Sequence, residues 1–91
     1  MKVQVKYMPM FSIYFSKKNE GIELGKGTIS ELIEILISKY SNVEKLRKLI
    51  IDDGKLKRGV FLLVGDKQIQ DLSFKLNDRD LVILGHIVAG G

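Results

Sequence analysis

Thr28-Ile29-Ser30-Glu31-Leu32-Ile33-Glu34-Ile35-Leu36-Ile37-Ser38-Lys39-Tyr40 combines a helix start signal with a helix-period apolar face. Thr28 and Glu31 have capping-box spacing, which places the threonine hydroxyl to accept the amide hydrogen three residues on. Ile29, Leu32, Ile33, Leu36 and Ile37 fall at i, i+3, i+4, i+7 and i+8. That period predicts a helix with one broad apolar face, running to about Tyr40. A helix this one-sided must lie on another apolar layer, and the segments flanking it read as strands.

Upstream, Lys2 to Tyr7 alternates strictly, with Val3, Val5 and Tyr7 on one face and Lys2, Gln4 and Lys6 on the other. A period of two predicts a half-buried strand. Pro9, the only proline, ends that strand or kinks the next segment. Met10 to Phe15 fits either a short helical turn or an extended connection. Gly21-Ile22-Glu23-Leu24 reads as a second short strand, released by Gly25 and Gly27. Downstream, a second capping box, Ser41 to Glu44, predicts a short helix carrying Leu46, Leu49 and Ile50, closed by Asp53-Gly54. Val60 to Val64 is a continuous apolar run, expected to be a strand buried on both faces. Gly65-Asp66 is a Gly-first hairpin signal returning through Lys67 to Gln70. Asn77-Asp78-Arg79-Asp80 is a turn into a last strand, Leu81 to about Gly85, apolar at every position before the glycine.

After a first hairpin, the long helix must cross over before the chain rejoins the sheet. That crossover favours pairing the last strand parallel to the first, in the middle of a mixed sheet. The expected fold is α+β, a β-grasp: four to five strands in a mixed sheet, with one main helix across one face. Residues 1–91 then form a single domain with a flexible C-terminal tail, 87–91. If Val82 and Leu84 face the helix, Leu81 and Ile83 face away from it. Either a loop or the short helix covers them, or they form a partner-binding patch beside the tail, extended by Met8, Met10 or Phe11.

Ninety-one residues suffice for one small domain, and 45% apolar with 29% charged residues is a globular balance. No apolar run approaches the ~20 residues of a membrane span, and Met1 to Lys6 lacks the apolar core of a signal peptide. A cytoplasmic protein is expected, with no membrane partner. With no cysteine, disulfide scaffolds, thiolate metal sites, redox pairs and cysteine nucleophiles are excluded. His86 is the only histidine; it is expected to touch a partner or end the strand, and neither a metal site nor a bound cofactor is expected. The net charge is +4, and twelve of the fifteen basic residues are lysines spread along the chain. Lys55-Leu56-Lys57-Arg58 reads as a solvated loop able to steer an acidic partner. No nearby aromatic residues stack bases, so nucleic acid is not expected as a partner. Gly25-Lys26-Gly27-Thr28 is similar to the end of a phosphate loop, but its upstream glycine spacing is wrong, and it reads as a turn and N-cap.

Ile87-Val88-Ala89-Gly90-Gly91 ends on two glycines, which chance alone gives about once in a hundred at this composition. A glycine pair is also what a frayed terminus looks like. Its place on the fold gives it meaning: five extended residues leaving a central strand reach roughly 16 Å, enough to enter another protein's pocket. Without β-carbons, Gly90 and Gly91 pass a narrow channel and leave the carboxylate unhindered. A carboxylate is a poor electrophile and needs activation, most simply as an acyl-adenylate.

These features together resemble the MoaD/ThiS family of ubiquitin-like sulfur carriers. The likeness rests on the opening strand, the capped helix, Val64-Gly65-Asp66, the turn Leu76-Asn77-Asp78-Arg79-Asp80-Leu81-Val82 and, most specifically, Val88-Ala89-Gly90-Gly91. The resemblance implies that Gly91 is adenylated by a ubiquitin-activating-type enzyme, using ATP and magnesium that belong to that partner, and is then thiocarboxylated. Gly90 gives access, while Leu81, Ile83, His86, Ile87, Val88 and Ala89 meet partners. The chain is then a carrier, not catalytic alone and monomeric when free. It serves as the small subunit of molybdopterin synthase and delivers sulfur inside a larger subunit. A protein modifier, or sulfur delivery for thiamine or tRNA thiolation, is the alternative within this mechanism. A small basic binding module with an inert tail is the alternative outside it. Two departures bear on subtype. His86-Ile87 stands where the molybdopterin branch often has Pro-Pro, yet Ser41 to Lys57 is a segment the shorter thiamine carriers lack. Arg79 stands where the family often has glycine, at a cost on the order of 1 kcal/mol if the backbone there is left-handed.

Overall fold

The capped helix and the first and last strands form as their patterns require, and the rest of the chain is arranged around them. A computed structural model describes residues 1–40 and 42–87. The elements in order are β1 (Lys2–Tyr7), α1 (Phe11–Phe15), β2 (Asn19–Glu23), α2 (Ile29–Ser38), α3 (Val43–Ile50), β3 (Ile51–Asp52), β4 (Lys55–Leu56), β5 (Val60–Val64), β6 (Lys67–Ile69) and β7 (Leu81–His86). Five strands make one mixed sheet in the order β2-β1-β7-β5-β6. β7 lies in the middle, parallel to β1 and antiparallel to β5. The second strand is Asn19–Glu23, starting and ending earlier than the glycine signals suggest, because it pairs with Lys2 to Lys6 of β1.

α2 buries the five residues its period selects, Ile29, Leu32, Ile33, Leu36 and Ile37. They meet Val3 and Val5 of β1, Val82 and Leu84 of β7 and Leu62 of β5 in one core cluster. Truncating one such residue to alanine costs about 2–5 kcal/mol in a packed core. Thr28 Oγ1 accepts the Glu31 amide hydrogen at 3.1 Å, as the capping box requires. Glu31 does more than a capping-box glutamate. Its carboxylate accepts the amides of Gly25, Lys26 and Gly27, each at 2.8 Å, and so gathers the loop that delivers the chain from β2 to α2.

At the other end of α2, Glu20 accepts hydrogen bonds from the hydroxyls of Tyr7 and Tyr40 and from Lys39, tying β1, β2 and the helix terminus together. Burial pushes the Glu20 carboxyl up, but these hydrogen bonds outweigh it and leave it below the usual range. Burial and the facing carboxylate push the Tyr40 hydroxyl up to about 12. The same corner stacks Phe15 on Tyr40, with ring centroids 4.4 Å apart.

Three local expectations are corrected, and one left open is resolved. The N-cap of α3 is Asn42, whose side chain accepts the Lys45 amide hydrogen; Ser41 itself lies outside the described residues. Asp53-Gly54 does not close α3, which ends at Ile50. The pair forms the turn of the small β3–β4 hairpin, both residues at positive φ, as a two-residue hairpin of this kind demands. β5 is not buried on both faces: Val60 and Leu62 enter the core, whereas Phe61 and Leu63 are half-buried on the other side. Met10 to Phe15 resolves as the short helix α1, with Phe11 and Phe15 buried. The Gly65-Asp66 hairpin holds, with φ +64 at Gly65.

The turn before β7 sets its register. Asp80 donates its amide to the Asn77 carbonyl, the Lys2 amide meets Asp78 Oδ1 at 2.8 Å, and the Arg79 amide meets the Lys2 carbonyl at 2.7 Å. Arg79 has φ +71, so the left-handed position does carry a non-glycine residue, at about 1–2 kcal/mol. Nothing in the structure explains the arginine there, since its side chain is almost fully exposed.

Backbone hydrogen bonds from Gly25 and then Gly27 hold the Glu31 carboxyl below its ordinary value. A depressed folded-state value means that this stabilisation is present above the ordinary glutamate range and is lost as pH falls through the lowered one. Glu31→Gln should therefore melt below wild type at neutral pH, with the gap closing in acid. Thermal unfolding across that range checks it, and a gap independent of pH would contradict the assignment.

Candidate functional site

The alternation of β7 divides its residues between two environments. Val82 and Leu84 are 0% and 1% exposed beneath α2, whereas Leu81 is 48% exposed on the opposite face and Ile83 is half-buried there. Register puts Gln4 beside Leu81, and Lys6 and Leu63 on either side of Ile83. No described helix covers this outer face, since α2 and α3 both bury their apolar residues in the core on the other side. The face is an apolar strip along β7 and β5, edged by Lys2, Gln4, Lys6 and Gln68, all exposed.

Towards its C-terminal end the strip is closed by Phe61. A Cβ on Gly85 would stand 2.3 Å from Phe61 Cζ, so the ring lies directly over the glycine. Glycine is what allows the aromatic ring to approach the strand this closely. One residue further, His86 sits on the core side, opposite Leu81 and Ile83 in the alternation and paired with buried Val60. Its ring packs against Gly59, where a Cβ would come within 3.0 Å of Nε2, and Gly59 also holds φ +93. His86 Nδ1 is buried with no hydrogen-bond partner among the described residues. Ile87 donates its amide to the Gly59 carbonyl at 2.7 Å and is 60% exposed.

The chain therefore leaves the sheet from an anchored point. Of the residues singled out in the sequence, Leu81, Ile83 and Ile87 are open to solvent to differing degrees near the exit, whereas His86 faces the other way. Val88, Ala89, Gly90 and Gly91 lie outside the described residues. Met8 is exposed after β1, but Phe11 is fully buried and Met10 packs on the core, so neither extends the strip. Among the described residues, no group of three or more His, Cys, Asp or Glu side chains is placed to hold a metal ion. No helix among them is long and apolar enough to cross a membrane.

One feature escaped the sequence. A groove of about 810 Å³ runs between the segment Gly54 to Phe61 and the segment Gln68 to Ser73, with Ile87 at its edge. Lys55, Lys57 and Arg58 line it, together with Gln70 and Asp71. The Ser73 hydroxyl and amide both donate to Asp71 Oδ1 and hold that carboxyl below the usual range. No linear motif announces such a groove, because its walls are separate in sequence and meet only when β5 and β6 pair.

No protein-family model and no curated protein matches the sequence. Solved structures match in fold. The small archaeal modifier protein 1 from Methanosarcina acetivorans superposes with a TM-score of 0.78 at 19% identity, over 99% of this chain and 96% of that one. A chain of the BexX/CysO complex from Amycolatopsis orientalis gives 0.76 at 21%, over 98% and 99%. A chain of the complex of subunits 1 and 2 of the molybdopterin-converting factor from Helicobacter pylori gives 0.63 at 19%, over the whole of both. The fold is the ubiquitin-like β-grasp that the strand order implies.

The outer face generates a pair of contrasting outcomes. Leu81→Asp, at an open site, should change stability by no more than about 0.5 kcal/mol. Gly85→Ala must move the Phe61 ring and should cost about 1–3 kcal/mol. Urea unfolding of both variants checks this, and equal tolerance would contradict the packing described.

Proposed function

We propose that the chain is a sulfur carrier working through a reactive C-terminal Gly90-Gly91. The observation that carries this reading is the course of β7, a central strand parallel to β1 whose outer face is uncovered and which leads through Ile87 into the diglycine segment. A rigid strand beside an apolar docking strip presents a short tail to a partner's pocket in a defined direction. The ubiquitin-like fold shared with a modifier protein, with a chain of a CysO complex and with a chain of the molybdopterin-converting factor supports the reading.

The chemistry stems from the carboxylate. Gly91 attacks the α-phosphate of ATP held with magnesium by a ubiquitin-activating-type enzyme, and pyrophosphate leaves. A sulfur nucleophile at the oxidation level of sulfide then attacks the acyl carbon and expels AMP, which leaves a thiocarboxylate on Gly91. Leu81, Ile83 and Ile87 dock the partner, and Gly90 lets the terminus pass a narrow channel. The chain supplies the carried group, and its partners supply the catalytic side chains. The acceptor we assign is the pterin precursor of molybdopterin, inside a larger synthase subunit. A second reading, a protein modifier whose activated Gly91 is taken by a lysine amine, is supported by the fold shared with the archaeal modifier protein.

Isotope exchange between ATP and pyrophosphate, catalysed by the activating enzyme of the same source, tests the first step. Exchange should depend on this chain and fall to background when Gly91 is removed, with the melting temperature unchanged. Undiminished exchange without Gly91 would overturn the proposal. ATP-dependent conjugates of higher mass in cell extract, resistant to thiols, would select the modifier reading.

A further inference from the structure

We propose that the groove between Lys55–Phe61 and Gln68–Ser73 is a docking site for an extended acidic segment of the protein that receives the tail. The inference rests on the tail reading above and adds a second contact surface to it. Three cations, Lys55, Lys57 and Arg58, line one wall, and none of them forms an ion pair among the described residues. The single carboxylate in the lining, Asp71, is turned to its own loop by two hydrogen bonds from Ser73. Asp52 and Asp53 belong to the neighbouring hairpin but lie outside the lining. The groove thus offers a surplus of positive charge in a concave setting, where opposite charge is attracted more strongly than on a flat surface.

Its position gives that charge a purpose. Ile87, the last described residue before the diglycine segment, forms the groove's edge, and Phe61 belongs both to the groove and to the apolar strip. A partner that seats an apolar surface on Leu81 and Ile83 can place an acidic segment in the groove without a gap between the two contacts. Each contact then orients the tail from one side. A nucleic acid fits less well: Phe61 is the single aromatic residue in the lining, so the groove offers no run of rings on which successive bases could stack.

The test uses the full chain, isotopically labelled, titrated with a hexaglutamate peptide and followed by amide shifts. Shifts should concentrate in residues 55–61, 68–73 and Ile87. Reversing Lys55, Lys57 and Arg58 to glutamate should weaken binding by about tenfold or more, whereas reversing Lys18, Lys45 and Lys48, exposed elsewhere, should not. The neutral set K55Q, K57Q and R58Q serves if the reversed chain fails to fold. With the activating enzyme, the groove variant should raise KM about tenfold at near-constant kcat at about 0.05 M salt, and the difference should shrink at about 0.5 M. Equal losses in both variant sets, shifts scattered over all lysines, an unchanged KM, or tighter binding of a thymidine oligonucleotide than of the peptide would each overturn the proposal. If the wild-type chain is never adenylated, the tail reading fails by itself, and the peptide titration still decides whether the groove takes an acidic segment.

Discussion

The parallel pairing of β7 with β1 is the constraint on which the rest of the molecule depends. Four register pairs, Gln4 with Leu81 through Tyr7 with Leu84, put the last strand in the centre of the sheet. The turn at Asn77 to Asp80 fixes that register by gripping both the amide and the carbonyl of Lys2. A slip of one residue would exchange the faces of β7, sending Val82 and Leu84 outward and Leu81 and Ile83 under α2. The core, the uncovered strip and the direction in which the chain leaves the sheet are therefore set together.

α2 makes that pairing possible in topology as well as in energy. Its five buried side chains supply the layer that covers one face of the sheet, and its length carries the chain across so that β7 can return parallel to β1. Its two ends are tied differently. At the start, Glu31 collects three loop amides that would otherwise point into solvent or lack partners. At the end, Tyr40 and Lys39 share Glu20 with Tyr7, so the helix is locked to the β1–β2 hairpin. No described helix is left to cover the outer face, and exposure of Leu81 is the consequence of this one-sided layering.

What could be read in the sequence was whatever a local period or a local cap encodes. The buried face of α2, the alternation of β1, the Gly-first hairpin and the outward Leu81 all belong to this class. Signals with two structural uses misled: Asp53-Gly54 suits a helix end and a hairpin turn equally, and Ser41 and Asn42 are both good N-caps in adjacent positions. Met10 to Phe15 has no clear polar face from which to read a period, so α1 became visible only when Phe11 and Phe15 were seen packed in the core. The side of the sheet that His86 faces is set by strand register, which residue type does not reveal. The basic groove was the least legible feature, because Lys55 to Arg58 acquires a concave setting only from Gln68 to Ser73 across the β5–β6 hairpin. The diglycine segment stands apart from all of these. The chemistry we propose for it was read from residue type alone, and it lies outside the described residues.

The most direct measurement of the central claim is the intact mass of the chain after incubation with ATP, a sulfide-level sulfur donor and the activating enzyme of the same source. The account predicts an increment equal to one oxygen replaced by one sulfur, confined to the C-terminal peptide and absent from a chain lacking Gly91. An unchanged mass, with the same enzyme shown to be active on another carrier, would contradict it.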